Sequence, residues 1–372
     1  MLPIKLFGSP GSLFTGRVRS YFINAGIEYE EASHMSPYFI NSVLPKAGGR
    51  HGMPTIELPD GSVIRDSVAI VDYFEEMNGQ SFSPITPKQR IVSRLLDAIG
   101  SEGFLRPAMH YRWNFDVENK SFVHSNFLIT FASDTDSKNA AVAMSYVKDK
   151  LTPAWGVVPE TYELIESLYL TALAKFDLHF SKHPYFLGGK PCIGDFGMMS
   201  PLFGHLGRDP KPLSLMQTHA GRLFRWVERM NRRDLDLFEF NDLPGSFNCD
   251  DEVGQTLLDL LKHFSIDFIP ESLSACNYIN EWLDENAGME PLTEVDRGVG
   301  MCEFEVQGVR VSAMAQPFRF FMLKKMQDEF FSLERDEQSE VAAMLSTCDM
   351  SELINLKLSR EIRRHNNLEV WL

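Results

Sequence analysis

The stretch His51-Gly52-Met53-Pro54-Thr55-Ile56-Glu57-Leu58, followed at once by Pro59-Asp60-Gly61, constrains the fold of this chain more tightly than any other. Pro54 fixes its own φ and has no N–H to give to a neighbouring strand. The apolar run after it is long enough only for a short strand. Pro-Asp-Gly is a turn signal, because proline presets one dihedral and Asp and Gly tolerate the tight backbone. Ser62-Val63-Ile64-Arg65 reads as a second short strand, and Asp66-Ser67 opens a helix with Ile70, Phe74 and Met77 on one face. The start of a helix presents unsatisfied N–H groups and a partial positive charge, so it suits a carboxylate. Ser67 can serve as the cap of that helix alone or as a donor to a ligand there.

The surrounding residues extend this pattern. Residues 3–8 read as a strand, and 13–25 as a helix with Val18, Phe22 and Ala25 in line, closed by Gly26. Ile27-Glu28-Tyr29-Glu30 alternates as a strand does, and residues 36–44 read as a short helix. The glycine-rich loop 47–52 is no Walker motif, since no Gly-Lys-Ser/Thr comes after it. The order over residues 1–80 is therefore β-α-β-α-β-β-α. Residues 81–87 form a linker. From 88 to 240 the pattern is helical throughout, with Ile165, Leu168, Ala172, Phe176 and Phe180 in one stripe and Leu223, Trp226, Val227 and Met230 in another.

A chain of 372 residues is expected to hold two or three domains. Its net charge of −15 is unevenly placed: residues 241–372 carry 11 Lys+Arg against 25 Asp+Glu, a balance of −14. The break falls beside the turn-rich stretch Asn241–Ser246, so 241–372 reads as a separate acidic extension. Such a surface disfavours nucleic acid and anionic membrane. Within it, residues 302–312 read as a hairpin turning at Gln307-Gly308, with Val306 facing Val309 and Phe304 facing Val311. Pro317 begins a helix whose stripe of Phe318, Met322, Met326 and Phe330 offers that hairpin an apolar partner. The extension is expected to fold onto the helical domain. No apolar run approaches the roughly 18–20 residues of a membrane span, and the first residues do not read as a signal peptide. Five cysteines, odd in number and without Cys-x-x-Cys or Cys/His zinc spacing, fit a reduced, cytoplasmic setting and no metal site.

Taken together, these patterns resemble the glutathione S-transferase family. The Gly-Met-Pro-Thr … Asp-Ser pattern resembles the family's glutathione-binding half, and Tyr185–Phe196 resembles the buried capping-box segment of its helical half, with Cys192 where Ser or Thr is usual. The sub-pattern Ser12–Tyr21 is similar to a bacterial group of longer, extended members. The resemblance covers residues 1–240. It implies an α+β thioredoxin-like domain, an all-α domain after it, and here an extra, mostly helical extension. It also implies that Pro54 is cis, that Met53 offers its backbone to glutathione, that Asp66 and Ser67 hold the γ-glutamyl end, and that a small hydrophobic electrophile is the second substrate of a homodimer.

The family places a thiol-activating hydroxyl between the first strand and helix, and Ser9-Pro10-Gly11-Ser12-Leu13-Phe14 puts Ser12 there. A thiolate attacks and a thiol does not, so a hydroxyl donating to the sulfur lowers the barrier. Thr15 is the second candidate, and Ser12 can equally be the helix cap. The chain has no cysteine before Cys192, which argues against disulfide exchange by a protein thiol. The resemblance places a cation or donor for the glycyl carboxylate in the loop that holds Lys46, Arg50 and His51, each of which taken alone reads as a solvated surface group. Phe14, with His110, Arg112 and Trp113 of the dense segment Met109–Phe115, is the candidate wall of the electrophile pocket; a helix end packed on the core is the equal alternative for that segment. Two functions fit this chain. One is a transferase using glutathione as co-substrate. The other is a non-catalytic interaction protein working through its acidic extension.

Overall fold

The structure is a computed structural model that describes residues 3–131, 137–233 and 239–372. It opens with β1 (Ile4–Gly8), α1 (Leu13–Ala25), β2 (Tyr29–Ser33), β3 (Thr55–Glu57), β4 (Val63–Arg65) and α2 (Ser67–Met77). The four strands form one sheet in the order β2-β1-β3-β4, with β1–β2 parallel and the other pairs antiparallel. This is the thioredoxin-like arrangement. Helix α1 has the bounds its sequence implies, because both ends are locally encoded. The Ser12 side chain caps the start, and Gly26 takes φ 67° at the end. The Ile27 N–H then closes on Phe22 O at 2.9 Å, so β2 starts at Tyr29 and not at Ile27. The short helix expected over 36–44 is a single π-helical turn, Phe39–Val43, and Pro45 comes immediately after Leu44.

The helical domain runs through α3 (Pro87–Ala98), α4 (Leu105–Trp113), α5 (Asp116–Phe131), α6 (Ser137–Tyr146), α7 (Tyr162–Phe180), α8 (Ile193–Gly204), α9 (Pro210–His219) and α10 (Gly221–Met230). The apolar α8 is its centre: every residue from Ile193 to Leu202 is buried, and both α1 and α3 pack on it. Cys192 caps it without a hydroxyl. The Asp195 half of the box remains, its Oδ2 accepting from Cys192 N (2.9 Å) and its Oδ1 from Trp226 Nε1 (3.0 Å).

The extension adds α11 (Gln255–Glu285), the hairpin β5 (Met301–Val306) and β6 (Val309–Met314), α12 (Pro317–Phe331), α13 (Arg335–Thr347), and a last hairpin of β7 (Ile362–His365) and β8 (Leu368–Trp371). The first hairpin has the expected register, Val306 opposite Val309 and Phe304 opposite Val311, and Gln307 and Gly308 both take positive φ. Its apolar partner differs from expectation. The hairpin packs on the 31-residue α11, while α12 packs chiefly on α3. Helix α11 escaped the sequence reading, Pro270 lying in its middle; the chain bridges that proline because both halves are packed on their neighbours.

The extension does dock on the helical domain, but it also returns to the first sheet. Asn366 and Asn367 form the β7–β8 turn with φ 48° and 65°, a left-handed conformation Asn tolerates. Asn367 then accepts from Arg65 N (3.1 Å) and donates to Val63 O and Lys46 O (both 3.0 Å). The end of the chain thus covers β4. No helix among the described residues is long and apolar enough to cross a membrane.

Candidate functional site

One cavity of about 560 Å3 lies where the sheet, the helical domain and the extension meet. Ser12, Phe14, Arg50, His51, Met53, Asp66, Ser67, Arg112 and Trp113 all line it. Residues from three distant stretches of sequence are thereby gathered around one space.

The floor comes from the sheet. The Met53–Pro54 peptide is cis, and the Pro54 carbonyl accepts from Asp66 N at 3.0 Å. This ties the Gly-Met-Pro loop to the start of α2. No hydrogen bond among the described residues uses the Met53 backbone or the Ser67 hydroxyl, so both are free for a ligand. Asp66 caps α2, accepting from Val68 N at 2.8 Å with φ 83°. Its carboxylate is not otherwise vacant: Arg364 of the last hairpin lies 3.3 Å away. Any ligand ammonium would share Asp66 with that guanidinium.

At the far end of the floor, Ser12 Oγ accepts from Thr15 N (3.2 Å), which caps α1 and leaves the hydroxyl hydrogen unspent. Ser12 is thus both cap and cavity residue. Thr15 is fully buried behind Gly8, where an added Cβ would strike its side chain, and it does not line the cavity. Tyr21 donates to Glu75 in the core. The loop before Ser12 is held by Arg112, whose Nη1 donates to Gly11 O (2.7 Å) while Nε and Nη2 grip the buried Asp209 at 2.6 and 2.8 Å. Arg112 therefore positions the serine loop; its charge is spent on Asp209 and is not offered to a substrate.

The cation side also differs from a simple reading. Lys46 donates to Gly61 O and does not reach the cavity. His51 meets His34 and Phe39 edge to face, and burial lowers its pKa. Burial pushes His34 down to about 4, so it is neutral at physiological pH. Of these three expected cations Arg50 remains, anchored by Val295 O (2.9 Å) and Glu294 (3.0 Å) of the extension.

The opposite wall is apolar: Leu105, Met109 and Trp113, one stripe of α4, with Phe127, Leu151 and Trp155. His110 does not belong to this wall, contrary to the sequence expectation. It falls off that stripe, is buried, and pairs through Nε2 with Glu166 (2.9 Å) and through Nδ1 with Asn114 (2.9 Å). It does not line the cavity. Sequence reading also missed the roof, formed by Val295, Asp296, Arg297, Gln316, Phe318 and Glu369 of the extension, and it missed Glu102 at the start of the wall. No local pattern marks these residues as neighbours of Ser12. No group of three or more His, Cys, Asp or Glu among the described residues could hold a metal.

Comparison with known proteins places this site in context. No curated protein matches the sequence. Among solved structures, the β-etherase LigF of Sphingobium sp. strain SYK-6 is similar at 16% identity, over 62% of this chain and 95% of that one, with a TM-score of 0.43. The glutathione transferase GSTFuA3 of Phanerochaete chrysosporium shares 13% identity over 63% and 99%, with a TM-score of 0.45. A glutathione S-transferase of Methylobacterium radiotolerans, in complex with glutathione sulfonate, shares 14% over 68% and 100%, with a TM-score of 0.38. Residues 6–82, which contain the serine loop, the cis proline and Asp66-Ser67, match the family described as glutathione S-transferase, N-terminal domain. That match assigns residues 6–82 to the glutathione S-transferase N-terminal domain family.

Proposed function

We propose that this protein is a glutathione transferase in which Ser12 activates the glutathione thiol for attack on an apolar electrophile. The observation that carries the reading is the shared cavity with Ser12 at one end, Met53, Asp66 and Ser67 along its floor, and an aromatic and aliphatic wall opposite. Glutathione's peptide backbone would pair with Met53, and its γ-glutamyl carboxylate would meet the start of α2 and Ser67. Arg50 would take the glycyl carboxylate. The Ser12 hydroxyl donates to the sulfur and favours the thiolate, and the positive end of α1 adds to that field. The extension lines the same cavity, which favours a role inside the site over a separate docking surface.

Calorimetry with glutathione on the wild type and on Ser67→Ala tests the reading, with thiol consumption by benzyl chloride as the activity probe. A hydrogen bond to a charged group contributes about 1.5–3 kcal/mol, so the variant should bind roughly ten- to a hundredfold more weakly. Equal affinities would remove Ser67 from the site. No heat with the wild type would overturn the transferase reading.

A further inference from the structure

Glu102 lies on the cavity wall in a place no part of the glutathione reading explains. It sits in a π-helical turn, Ile99–Gly103, between α3 and α4, where Phe104 N reaches back to Ile99 O at 2.9 Å. Such turns are frequent at functional sites. Neighbours lock the turn. An added Cβ at Gly100 would strike the backbone of Gly197 in α8, and one at Gly103 would strike Phe268 of α11. Arg319 Nη2 donates to the Glu102 carbonyl at 3.1 Å.

The side chain itself is left without a partner. Glu102 is 7% exposed, lines the cavity, and its Oε2 is buried with no hydrogen bond. No cation among the described residues comes within ion-pair distance of its carboxylate. A buried, unpaired carboxyl is costly when charged and poses little difficulty as the neutral acid. Burial raises its pKa to about 7, against the opposing pull of Arg319 and Arg297 and with a further push from Glu271 and Asp66. Trp113 and Trp155, on the same cavity, also have indole N–H groups with no partner. An otherwise apolar wall thus holds one unpaired carboxyl and two indole N–H groups without partners.

We propose that Glu102 is the proton donor to the second substrate, and that the cavity takes an apolar electrophile whose C–O bond opens as glutathione attacks, an epoxide being the simplest case. This rests on the transferase reading. The thiolate sulfur forms a C–S bond to the ring carbon, and the C–O pair goes to oxygen. The Glu102 proton moves to that oxygen and leaves an alcohol. The carboxylate then regains, through water, the proton the thiol gave up. Atoms and charge balance without any further reagent. A halide leaving group needs no proton, so Glu102 has nothing to do with it.

Styrene oxide and benzyl chloride therefore form a diagnostic pair, with glutathione saturating and the pH varied from about 5 to about 9. General acids contribute about a hundredfold or more, so Glu102→Gln should lower kcat/KM for styrene oxide by at least about that factor. Benzyl chloride turnover should change far less, and glutathione affinity by calorimetry should hold. The wild type supplies an answer without any variant: the ratio of epoxide to halide turnover should fall as pH rises through the Glu102 titration. A flat ratio, or an equal loss on both probes in Glu102→Gln, overturns the proposal while leaving the transferase reading intact. A wild type that binds no glutathione and turns over neither probe overturns both.

Discussion

Replacing Glu271 by alanine should lower the stability of this protein by about 3–5 kcal/mol, with a fall in Tm of the order of 10 °C. Glu271, on α11 of the extension, is 5% exposed and takes two buried guanidiniums: Arg106 of α4 at 3.1 Å and Arg319 of α12 at 2.8 Å. Arg106 also pairs with Asp267, and Arg319 donates to Ser272 Oγ at 3.1 Å. The network ties the helical domain to the extension. Removing Glu271 leaves Arg319 buried without its carboxylate and Arg106 with only one. That is the costly way to break a buried pair, since the desolvation of the cations is no longer offset. Burial pushes the Glu271 carboxyl up, but Arg319 and Arg106 outweigh it and hold it below the usual range. A depressed carboxyl contributes stability above its unfolded pKa and loses it as pH falls through the folded one. The wild type should therefore lose more stability than Glu271→Gln as pH drops below about 4.5. Thermal melts of the wild type and both variants against pH check this. A Glu271→Ala melt within error of the wild type would show that the network contributes nothing net.

Ser12→Ala should slow conjugation by about ten- to a hundredfold at saturating glutathione and raise the pKa of the bound thiol. The hydroxyl hydrogen of Ser12 is the only part of that side chain not used in capping α1. A donor to a charged sulfur contributes about 1.5–3 kcal/mol, and each 1.36 kcal/mol is tenfold in rate. The lost cap adds about 1 kcal/mol of destabilisation, which a melt separates from the catalytic effect. The ultraviolet absorbance of bound thiolate, titrated with pH, reads the pKa directly. An unchanged pKa and rate would move thiol activation to backbone amides, because Thr15 is buried away from the cavity.

Part of the cavity's lining was legible without coordinates. The cis bond before Pro54 was implied only by the family resemblance, whereas the helix starts at Ser12 and at Asp66-Ser67 and the turn between β3 and β4 are short-range signals. Such features depend on residues within a few positions of one another, so a linear string carries them. The hairpin register at Gln307-Gly308 is of the same kind. Its apolar partner was not, because periodicity marks that a face is apolar and leaves open which apolar face it meets. His110 and Arg112 show the same limit on one helix. A single step along α4 separates a cavity face from a buried pairing with Glu166, and the hold of Arg112 on Asp209 spans 97 residues.

The sequence by itself determined the thioredoxin-like order of the first 80 residues, the helical character of the domain after them and the place of the serine loop. Only the tertiary structure decided that the last hairpin returns to cover β4, that Arg364 stands beside Asp66, that Arg50 is anchored by the extension and that Glu102 faces the cavity without a partner. The reason is physical. Capping, turns and helical periodicity are local, with energies set by neighbours in the chain. The pairing of Arg65 with Glu369 joins residues 304 positions apart. It exists because the last hairpin packs over β4 and brings these buried groups together, and no local pattern in the sequence records that.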